Sequence, residues 1–347
     1  MKLNDLIDKL LLKENLTTYE SKVLFEQLFS DKIINEPFAK LILMLLAIKG
    51  ESGEELAGLV QTIRRIEKPV RAPGLPNLAD GCGTGGDGTN TFNISTLASL
   101  VAAGAGAHVA KHGNRSISSQ CGSADLLETL GVKIDAPLKQ MLKALKHKNC
   151  RIAYFHAPLY HQSFKKVQPV RMKLQEKYQT RTIFNLVGPL TNPLQPKRQV
   201  IGVFRKDLVK KVAETSKKLG LKRTLVIRSA DGMDELTTTA KTDVAELKNG
   251  SIKQYSVSPA QFGFRMANRK ELKGGKADVN KKIALKILSG EDKTARRDVV
   301  LLNAAAILYV SGKAKNLKEG VLLARKSIDS GMALKTLKNL IRISHGS

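Results

Sequence analysis

The chain has 347 residues, of which 42% are hydrophobic and 26% charged, which is ordinary for a globular enzyme of about two domains. No stretch approaches the ~20 apolar residues that a membrane-spanning helix needs, and the mixed charges of the N-terminal segment exclude a secretory signal peptide. The 58 Lys and Arg outnumber the 31 Asp and Glu to give a net charge of +27, a surplus that attracts polyanions from nucleotide phosphates to nucleic acid.

The first part of the chain is predicted to be helical. Apolar residues recur at the spacing of one helical face in the first predicted helix: Leu3, Leu6, Ile7, Leu10 and Leu11. Thr17 and Glu20 have the spacing of a capping box and begin a second helix. The stretch EKPVRAPGLPNLAD then marks a boundary or hinge, because proline and glycine interrupt regular structure. We therefore predict an N-terminal helical domain over residues 1–72 and an α/β domain over residues 73–347.

The residue pattern of the sequence changes after this boundary, where short β-rich runs alternate with helical stretches. The β-rich runs are AHVAKHG, CRIAYFHAP, QVIGVF and TLVIRSADG. The stretches PLKQMLKALKHK and DLVKKVAETSKKLG between them have helical periodicity. The alternation predicts an α/β fold with a mostly parallel central sheet. Helices are predicted to close the chain, in RRDVVLLNAAAILYVSG and LKEGVLLARKSIDSG.

The first candidate binding segment is DGCGTGGDGTNTFNIST, from Asp80 to Thr96. Glycines let a ligand approach the backbone without a Cβ in the way, and a helix N-terminus presents unpaired N–H groups to an anion. The segment matches neither a P-loop nor a dinucleotide-binding motif, so it predicts a different phosphate-binding loop, with a plain structural turn as the alternative. Cys82 is interpreted as a small filler, and three cysteines without metal-type spacing predict a reduced, cytoplasmic protein.

Two further segments carry polar side chains after predicted strands. KHGNRSISSQCGSAD, from Lys111 to Asp125, combines cations with hydroxyls and amides that suit a phosphate or a carboxylate, although a serine-rich surface loop has the same composition. In DGMDELTTT, Asp234 and Glu235 offer adjacent hard oxygen ligands of the kind that Mg²⁺ takes together with substrate phosphates. Loops that follow strands of one parallel sheet converge at its carboxyl edge, so these segments are expected to meet.

Together with RTIFNLVGPLTNP and the closing helices, these segments resemble the anthranilate phosphoribosyltransferase family over nearly the whole chain. The resemblance implies transfer of phosphoribose from phosphoribosyl pyrophosphate (PRPP) to the amine of anthranilate, a step of tryptophan biosynthesis, with Mg²⁺ as cofactor. It also implies a homodimer formed through the helical domain, to which a helical segment near residues 162–185 would belong. No membrane partner is implied.

The resemblance also implies the site residues. For PRPP they are Gly83, Gly86, Asp87, Thr91, Asn93, Ile94, Ser95, Thr96, Lys111, His112, Gly113, Asn114, Arg115, Ser116, Ile117, Ser118, Ser119 and Ser123. For anthranilate they are Gly83, Asn114 and Arg171, the last as the grip on its carboxylate. For magnesium they are Ser95, Asp234 and Glu235. Lys111 is implied as the catalytic residue, because it supplies fixed positive charge to the phosphates.

Two departures from the family lie beside Arg171. HQSFK at residues 161–165 replaces the family's H-P-A-M-K, and the segment between Arg171 and Arg181 is longer than usual. They leave open phosphoribosyl transfer to a different aromatic acceptor. The net charge of +27 leaves open a catalytically divergent member that binds nucleic acid through a basic groove. A pyrimidine nucleoside phosphorylase, which shares the fold and a K-H-G stretch, is the third alternative.

Overall fold

The computed structural model describes residues 2–30, 35–67, 69–116 and 120–347. The chain begins with the helices α1 (Leu3–Leu11), α2 (Thr18–Ser30), α3 (Glu36–Lys49) and α4 (Gly53–Ile66). The predicted capping box is confirmed, because Glu20 Oε2 accepts from Thr17 N–H at 2.8 Å and Thr17 Oγ1 accepts from Glu20 N–H at 3.2 Å. The apolar face of α1 is shorter than predicted: Leu6 and Leu10 are buried, whereas Leu11 is 58% exposed where the helix ends.

A single seven-stranded sheet follows. Its strands are β1 (Ala79–Gly83), β2 (Val109–Gly113), β3 (Ile152–His156), β4 (Arg198–Gly202), β5 (Arg223–Ser229), β6 (Thr242–Lys248) and β7 (Ser251–Val257). They lie in the order β3-β2-β1-β4-β5-β6-β7, in which the strands from β3 to β5 pair in parallel and β6 pairs antiparallel with both β5 and β7. The predicted fold class, a helical domain with a mostly parallel α/β domain, is therefore confirmed.

Helices cover both faces of the sheet. They are α5 (Ile94–Gly104), α6 (Ser123–Thr129), α7 (Leu138–Lys146), α8 (Ala157–Tyr160), α9 (Gln162–Tyr178), α10 (Phe184–Val187), α11 (Leu208–Lys218), α12 (Ala277–Leu288), α13 (Ala295–Val310), α14 (Leu317–Asp329) and α15 (Met332–Ser344). The helix α13 is buried on nearly every side, which explains why its sequence is mostly apolar after the first turn. With α5, α14 and α15 it builds the core on one face of the sheet.

The opposite face of the sheet shares its core with the N-terminal helices. Ile201 of β4 and Val226 of β5 belong to the same buried cluster as residues of α1–α4. Val167, Val170 and Leu174 of α9 are in this cluster too, so α9 packs with the N-terminal helices although it comes much later in the chain. Within the described ranges, no helix combines the length and the apolar character needed to cross a bilayer.

The strand order places a crevice at the carboxyl edge of β1. The chain passes from β1 to β2 on one side, whereas β4 and β5 continue on the other side of β1. Ligands of open α/β sheets bind at such a reversal, outside the carboxyl ends of the strands. β1 ends at Gly83 and β4 ends at Gly202, so a glycine ends each of the two strands at the bottom of this crevice.

Candidate functional site

A cleft of about 650 Å³ opens at this edge of the sheet. Its lining includes what we call the glycine bend, residues 83–88, and the second loop, residues 113–116 and 121–123 of the described chain. Arg171 of α9, Arg181, Asp234 and Glu235 line the same cleft. The segments that the sequence singled out therefore meet in one place. Ile117, Ser118 and Ser119 of the predicted site lie outside the described residues.

The glycine bend lies directly against the carboxylate of Asp234. Gly85 N–H donates to Asp234 Oδ2 at 2.9 Å. A Cβ added at Gly83 would lie 2.2 Å from the same oxygen, closer than any non-bonded contact allows. Glycine at position 83 is thus required for the loop after β5 to approach the end of β1.

Three carboxylates form what we call the acidic cluster: Asp87, Asp234 and Glu235, with one ligand atom from each within 4.8 Å of the others. Burial raises the pKa of Asp234 to about 6, and the charge of Asp87 adds to the effect. Burial also raises the pKa of Glu235 well above its ordinary value, with the neighbouring Asp234 as the next cause. Glu235 Oε2 has no hydrogen-bond partner in the described part of the chain. Crowded, poorly solvated oxygens of this kind fit a divalent cation.

Lys111 lies beneath the glycine bend, where it is almost completely buried. Its ammonium donates to Gly81 O at 2.7 Å, and its Nζ lies 3.4 Å from Ser95 Oγ. The neighbouring Asp80 is fully buried and accepts from Asn192 Nδ2 at 2.9 Å. Burial raises the pKa of Asp80 to about 6, and the charge of Lys111 opposes that rise. Lys111 therefore supplies positive charge below the bend rather than from the open side of the cleft.

The second loop is organised by Asp125, whose Oδ2 accepts from the backbone N–H groups of Gly122 at 2.8 Å and Ser116 at 3.1 Å. Arg115 pairs with Asp125 at 2.9 Å and with Glu128 at 2.8 Å, so its charge is largely compensated. Ser123 Oγ donates to the backbone carbonyl of Asn114 at 3.2 Å, which closes the loop on itself. Arg115 thus holds the loop together in this conformation.

Asn93 connects the segment after the glycine bend to the second loop, because its Nδ2 donates to Cys121 O at 2.9 Å. Its Oδ1 accepts from Asn280 Nδ2 at 3.0 Å.

Several polar atoms of the cleft lining are buried without a hydrogen-bond partner among the described residues. They are Thr84 Oγ1, Thr96 Oγ1, Arg171 Nε, Thr182 Oγ1 and Glu235 Oε2. Because buried polar groups are normally paired, their convergence on one cleft indicates that a polar ligand completes them.

Arg171 reaches the cleft from α9. Its guanidinium carbon lies 5.5 Å from the ring centre of Phe184, and its Nη1 donates to Gln168 Oε1 at 3.4 Å. Burial lowers the pKa of Arg171 to about 10. No carboxylate pairs with it within the described ranges, so a partly buried positive charge faces the cleft without a counter-charge.

The imidazole of His112 is directed into the protein, although its sequence neighbours face the cleft. His112 Nδ1 lies 3.1 Å from Gly188 O, and its Nε2 lies 3.1 Å from Nε2 of His161. His161 directly precedes α9, so the pair connects the end of β2 to the start of the helix that carries Arg171. No pattern in the sequence indicated this pair.

Asn303 of α13 holds the loop that carries the acidic cluster. Its Oδ1 accepts from Leu236 N–H at 3.1 Å, and its Nδ2 donates to Leu236 O at 2.6 Å and to Val299 O at 2.8 Å. Leu236 follows Glu235 directly, so one buried carboxamide fixes the peptide next to the acidic pair. Asn303 was not among the predicted residues, and its only signal is a polar side chain in the middle of an apolar stretch of helix.

Comparisons with known proteins agree with this architecture. Residues 4–65 match the model of the glycosyl transferase family, helical bundle domain, and residues 75–334 match that of the glycosyl transferase family, a/b domain. The chain is 42% identical to the anthranilate phosphoribosyltransferase of Alkaliphilus metalliredigens over 97% of each chain.

Two solved structures are also similar to the chain. The crystal structure of anthranilate phosphoribosyltransferase from Thermus thermophilus has a TM-score of 0.90 and 37% identity, over 99% of this chain and 100% of that one. The enzyme of the same name from Saccharomyces cerevisiae, in complex with PRPP and Mg, has a TM-score of 0.87 and 26% identity, over 99% of this chain and 98% of that one.

Proposed function

The chain belongs to the anthranilate phosphoribosyltransferases, and from this membership we propose that it transfers the phosphoribosyl group of PRPP to the amine of anthranilate, a pentosyl transfer in tryptophan biosynthesis. The bond from C1′ to the pyrophosphate oxygen breaks, the bond from C1′ to the amine nitrogen forms, and the amine loses one proton. The observation that supports this most is the cleft in which the glycine bend, the acidic cluster and Lys111 lie together.

We propose that Asp234, Glu235 and Asp87 hold Mg²⁺, with Ser95 as a further oxygen ligand. The support is the close set of three carboxylates and the unpaired Glu235 Oε2. A bound Mg²⁺ supplies positive charge to the diphosphate oxygens. The three carboxylates repel an unaccompanied polyanion, so the acidic cluster does not favour the alternative in which the cleft binds nucleic acid.

The remaining predicted residues are proposed to bind the two substrates. Gly83, Gly86, Thr91 and residues 93–96 approach the diphosphate through N–H groups and hydroxyls, among which Thr96 Oγ1 is buried without a hydrogen-bond partner among the described residues. Lys111 stabilises the departing charge from below the bend. Residues 112–116 and Ser123 are proposed to enclose the other end of PRPP, as are Ile117, Ser118 and Ser119, which lie outside the described residues.

Arg171 is proposed to grip the carboxylate of anthranilate, with Gly83 and Asn114 as further contacts. The support is its uncompensated charge in the cleft wall, since an arginine binds a planar carboxylate through two parallel hydrogen bonds. The homodimer through the N-terminal helices and the cytoplasmic location stay predictions from the resemblance and from the cysteine content.

A turnover assay tests the proposal. The purified protein is mixed with PRPP, Mg²⁺ and anthranilate, and the loss of anthranilate fluorescence is followed. We expect turnover that stops when Mg²⁺ is removed with a chelator. We also expect Arg171→Gln to raise the KM for anthranilate about tenfold or more, because a charge-assisted pair contributes about 1.5–3 kcal/mol.

Lys173→Gln is the matched control, since Lys173 lies on the same helix but pairs with Glu36 at 2.8 Å. It removes the same charge and should leave the KM for anthranilate unchanged. If anthranilate fluorescence is not lost but pyrophosphate is released with another aromatic amine, that amine is the acceptor instead of anthranilate. Phosphate-dependent cleavage of a pyrimidine nucleoside would contradict the reaction itself.

A further inference from the structure

Arg181 connects the two walls of the cleft. It follows α9, which ends at Tyr178, and the chain turns at Gln179, whose φ of 52° is left-handed. From there, Arg181 Nη2 donates to the backbone carbonyl of Gly86 in the glycine bend. A Cβ added at Gly86 would lie 3.4 Å from this nitrogen and 3.5 Å from the guanidinium carbon, so the guanidinium covers that residue.

The guanidinium of Arg181 is fixed from a second side by an aromatic ring. Its central carbon lies 4.1 Å from the ring centre of Phe204, which follows β4. A cation over an aromatic face at this distance is attracted by the ring quadrupole. A side chain at the protein surface is therefore held in one position by two contacts from different elements.

Most of the donor capacity of Arg181 is unused. A guanidinium carries five N–H donors, and within the described ranges the partners of Arg181 are one carbonyl and one ring. In contrast, Arg115 pairs with Asp125 and Glu128, and Arg205 pairs with Asp207 at 2.7 Å. No carboxylate of the described chain forms an ion pair with Arg181, so its charge faces the cleft without compensation.

The glycine bend lies between opposite charges. Gly85 N–H donates to Asp234, and the carbonyl of the next residue, Gly86, accepts from Arg181. The bend thus contacts a carboxylate at Gly85 and a guanidinium at the next residue. Arg181 also shields a carbonyl oxygen that would otherwise repel an anion bound at the bend.

We propose that Arg181 is a further substrate-binding residue, whose free N–H groups bind the diphosphate of PRPP while its Nη2 holds the bend in place. The inference rests on the proposed function, because it takes the diphosphate as the ligand of the bend. The planar fork of arginine binds a phosphate oxygen pair and a carbonyl together, which the point charge of lysine does not reproduce.

The experiment measures the binding of pyrophosphate in the presence of Mg²⁺ by calorimetry, together with steady-state kinetics. Arg181→Gln should weaken pyrophosphate binding and raise the KM for PRPP, each about tenfold or more, because charge-assisted hydrogen bonds contribute about 1.5–3 kcal/mol. The KM for anthranilate should change less than about twofold, which corresponds to under 1 kcal/mol. Arg181→Lys should recover only part of the lost affinity.

Arg205→Gln is the matched control. Arg205 lies 6.0 Å from the centre of the same Phe204 ring, but it pairs with Asp207 and does not line the cleft. Equal weakening by both variants would mean that only the overall positive charge matters and would overturn the proposal. So would wild-type pyrophosphate affinity in Arg181→Gln, or a change confined to the KM for anthranilate.

The binding measurement does not depend on turnover. If the wild-type chain binds pyrophosphate but does not consume anthranilate, the proposed acceptor fails while the role of Arg181 is still decided by the two variants. If the chain turns over and Arg181→Gln binds pyrophosphate like the wild type, only the inference about Arg181 fails.

Discussion

The two paired histidines illustrate how single residues depend on their surroundings. If His112 is neutral and its Nδ1 donates to Gly188 O, its Nε2 must accept the hydrogen bond from His161 Nε2–H. His161 Nδ1 is then an unprotonated, buried nitrogen without a partner in the described chain. Burial lowers the pKa of His161 to about 4, and burial with the nearby His161 lowers the pKa of His112 well below its usual value.

These low pKa values predict that the pair makes the protein acid-sensitive. Between pH 6.5 and about 4 an unfolded histidine takes up a proton that the buried His161 does not, so the free energy of unfolding falls as the pH falls. Each such histidine contributes a slope of up to about 1.4 kcal/mol per pH unit. His161→Gln should therefore flatten this dependence, measured by urea unfolding from pH 4.5 to 7.

The exposed His345 provides the control, because His345→Gln removes a histidine without removing a buried one. Buried carboxyls such as Asp80, whose pKa is raised, make the free energy of unfolding rise as the pH falls. They are the same in the wild type and in both histidine variants, so their contribution cancels in the comparison. An unchanged slope in His161→Gln would show that this buried pair does not resist protonation.

Residues that are close in the sequence could be found from it, and residues that meet only through the fold could not. The pair Asp234–Glu235 and the glycines of residues 83–88 are visible as local patterns. The sequence predicts that Asp87 lies at the bend, but the approach of Asp87 to Asp234 and Glu235 depends on the order of β1, β4 and β5. The contact of Arg181 with Gly86 spans 95 residues, and no local pattern encodes it.

At the scale of elements, α13 anchors the acidic loop through a single side chain. Asn303 pairs with both the N–H and the C=O of Leu236, and it is buried in the core helix. The loop has no other element beneath it that offers such a bidentate contact in the described chain. Together with the Gly85 N–H, which donates to Asp234, this contact positions Asp234 and Glu235.

We expect Asn303→Leu to destabilise the protein by about 2–4 kcal/mol, because it leaves the buried N–H and C=O of Leu236 unpaired. The loop then loses its fixed position, so the Mg²⁺ concentration for half-maximal activity should rise about tenfold, as a loss of about 1.4 kcal/mol in metal binding would give. Urea unfolding and a magnesium titration of the activity measure the two effects.

Asn339→Leu is the comparison variant for this prediction. Asn339 of α15 donates to Asn149 O at 2.9 Å, which is also a contact between an asparagine and the backbone, but it does not line the cleft. Loss of this hydrogen bond should lower the free energy of unfolding without changing the Mg²⁺ concentration for half-maximal activity. If both variants shift this concentration equally, Asn303 acts only through general stability.

The antiparallel hairpin of β6 and β7 shows that a local signal can also be overlooked. Asn249 and Gly250 join the two strands with φ values of 51° and 77°, the geometry that an Asn-Gly turn favours. The sequence therefore contained this hairpin, although the predicted elements did not include it. The order of the parallel strands, in contrast, depends on pairing between distant segments that no turn residue specifies.

At the scale of the whole molecule, the N-terminal helices have one buried side and one open side. Their inner residues share a core with α9, α11 and the sheet. Large apolar side chains are nevertheless exposed on this part of the chain: Leu11, Leu12, Tyr19, Leu41 and Ile48. We propose that these exposed apolar side chains belong to the interface of the proposed homodimer, since contiguous apolar surface marks an interaction site.

We expect the wild-type chain to be a dimer and Ile48→Arg to shift it towards the monomer, because the substitution places two like charges near each other across a symmetric interface. The measurement is sedimentation equilibrium at about 0.15 M salt, where the Debye length of about 8 Å screens the repulsion between two chains of net charge +27. The dimer should weaken further as the salt concentration is lowered.

Leu322→Arg separates this effect from a general one. Leu322 lies on α14, away from the N-terminal helices, and its exposed fraction of 65% equals that of Ile48. The same charge at this position should leave the dimer intact. If Leu322→Arg dissociates the dimer and Ile48→Arg does not, the two copies meet through the α/β domain. A wild-type chain that is monomeric at every concentration would contradict the homodimer itself.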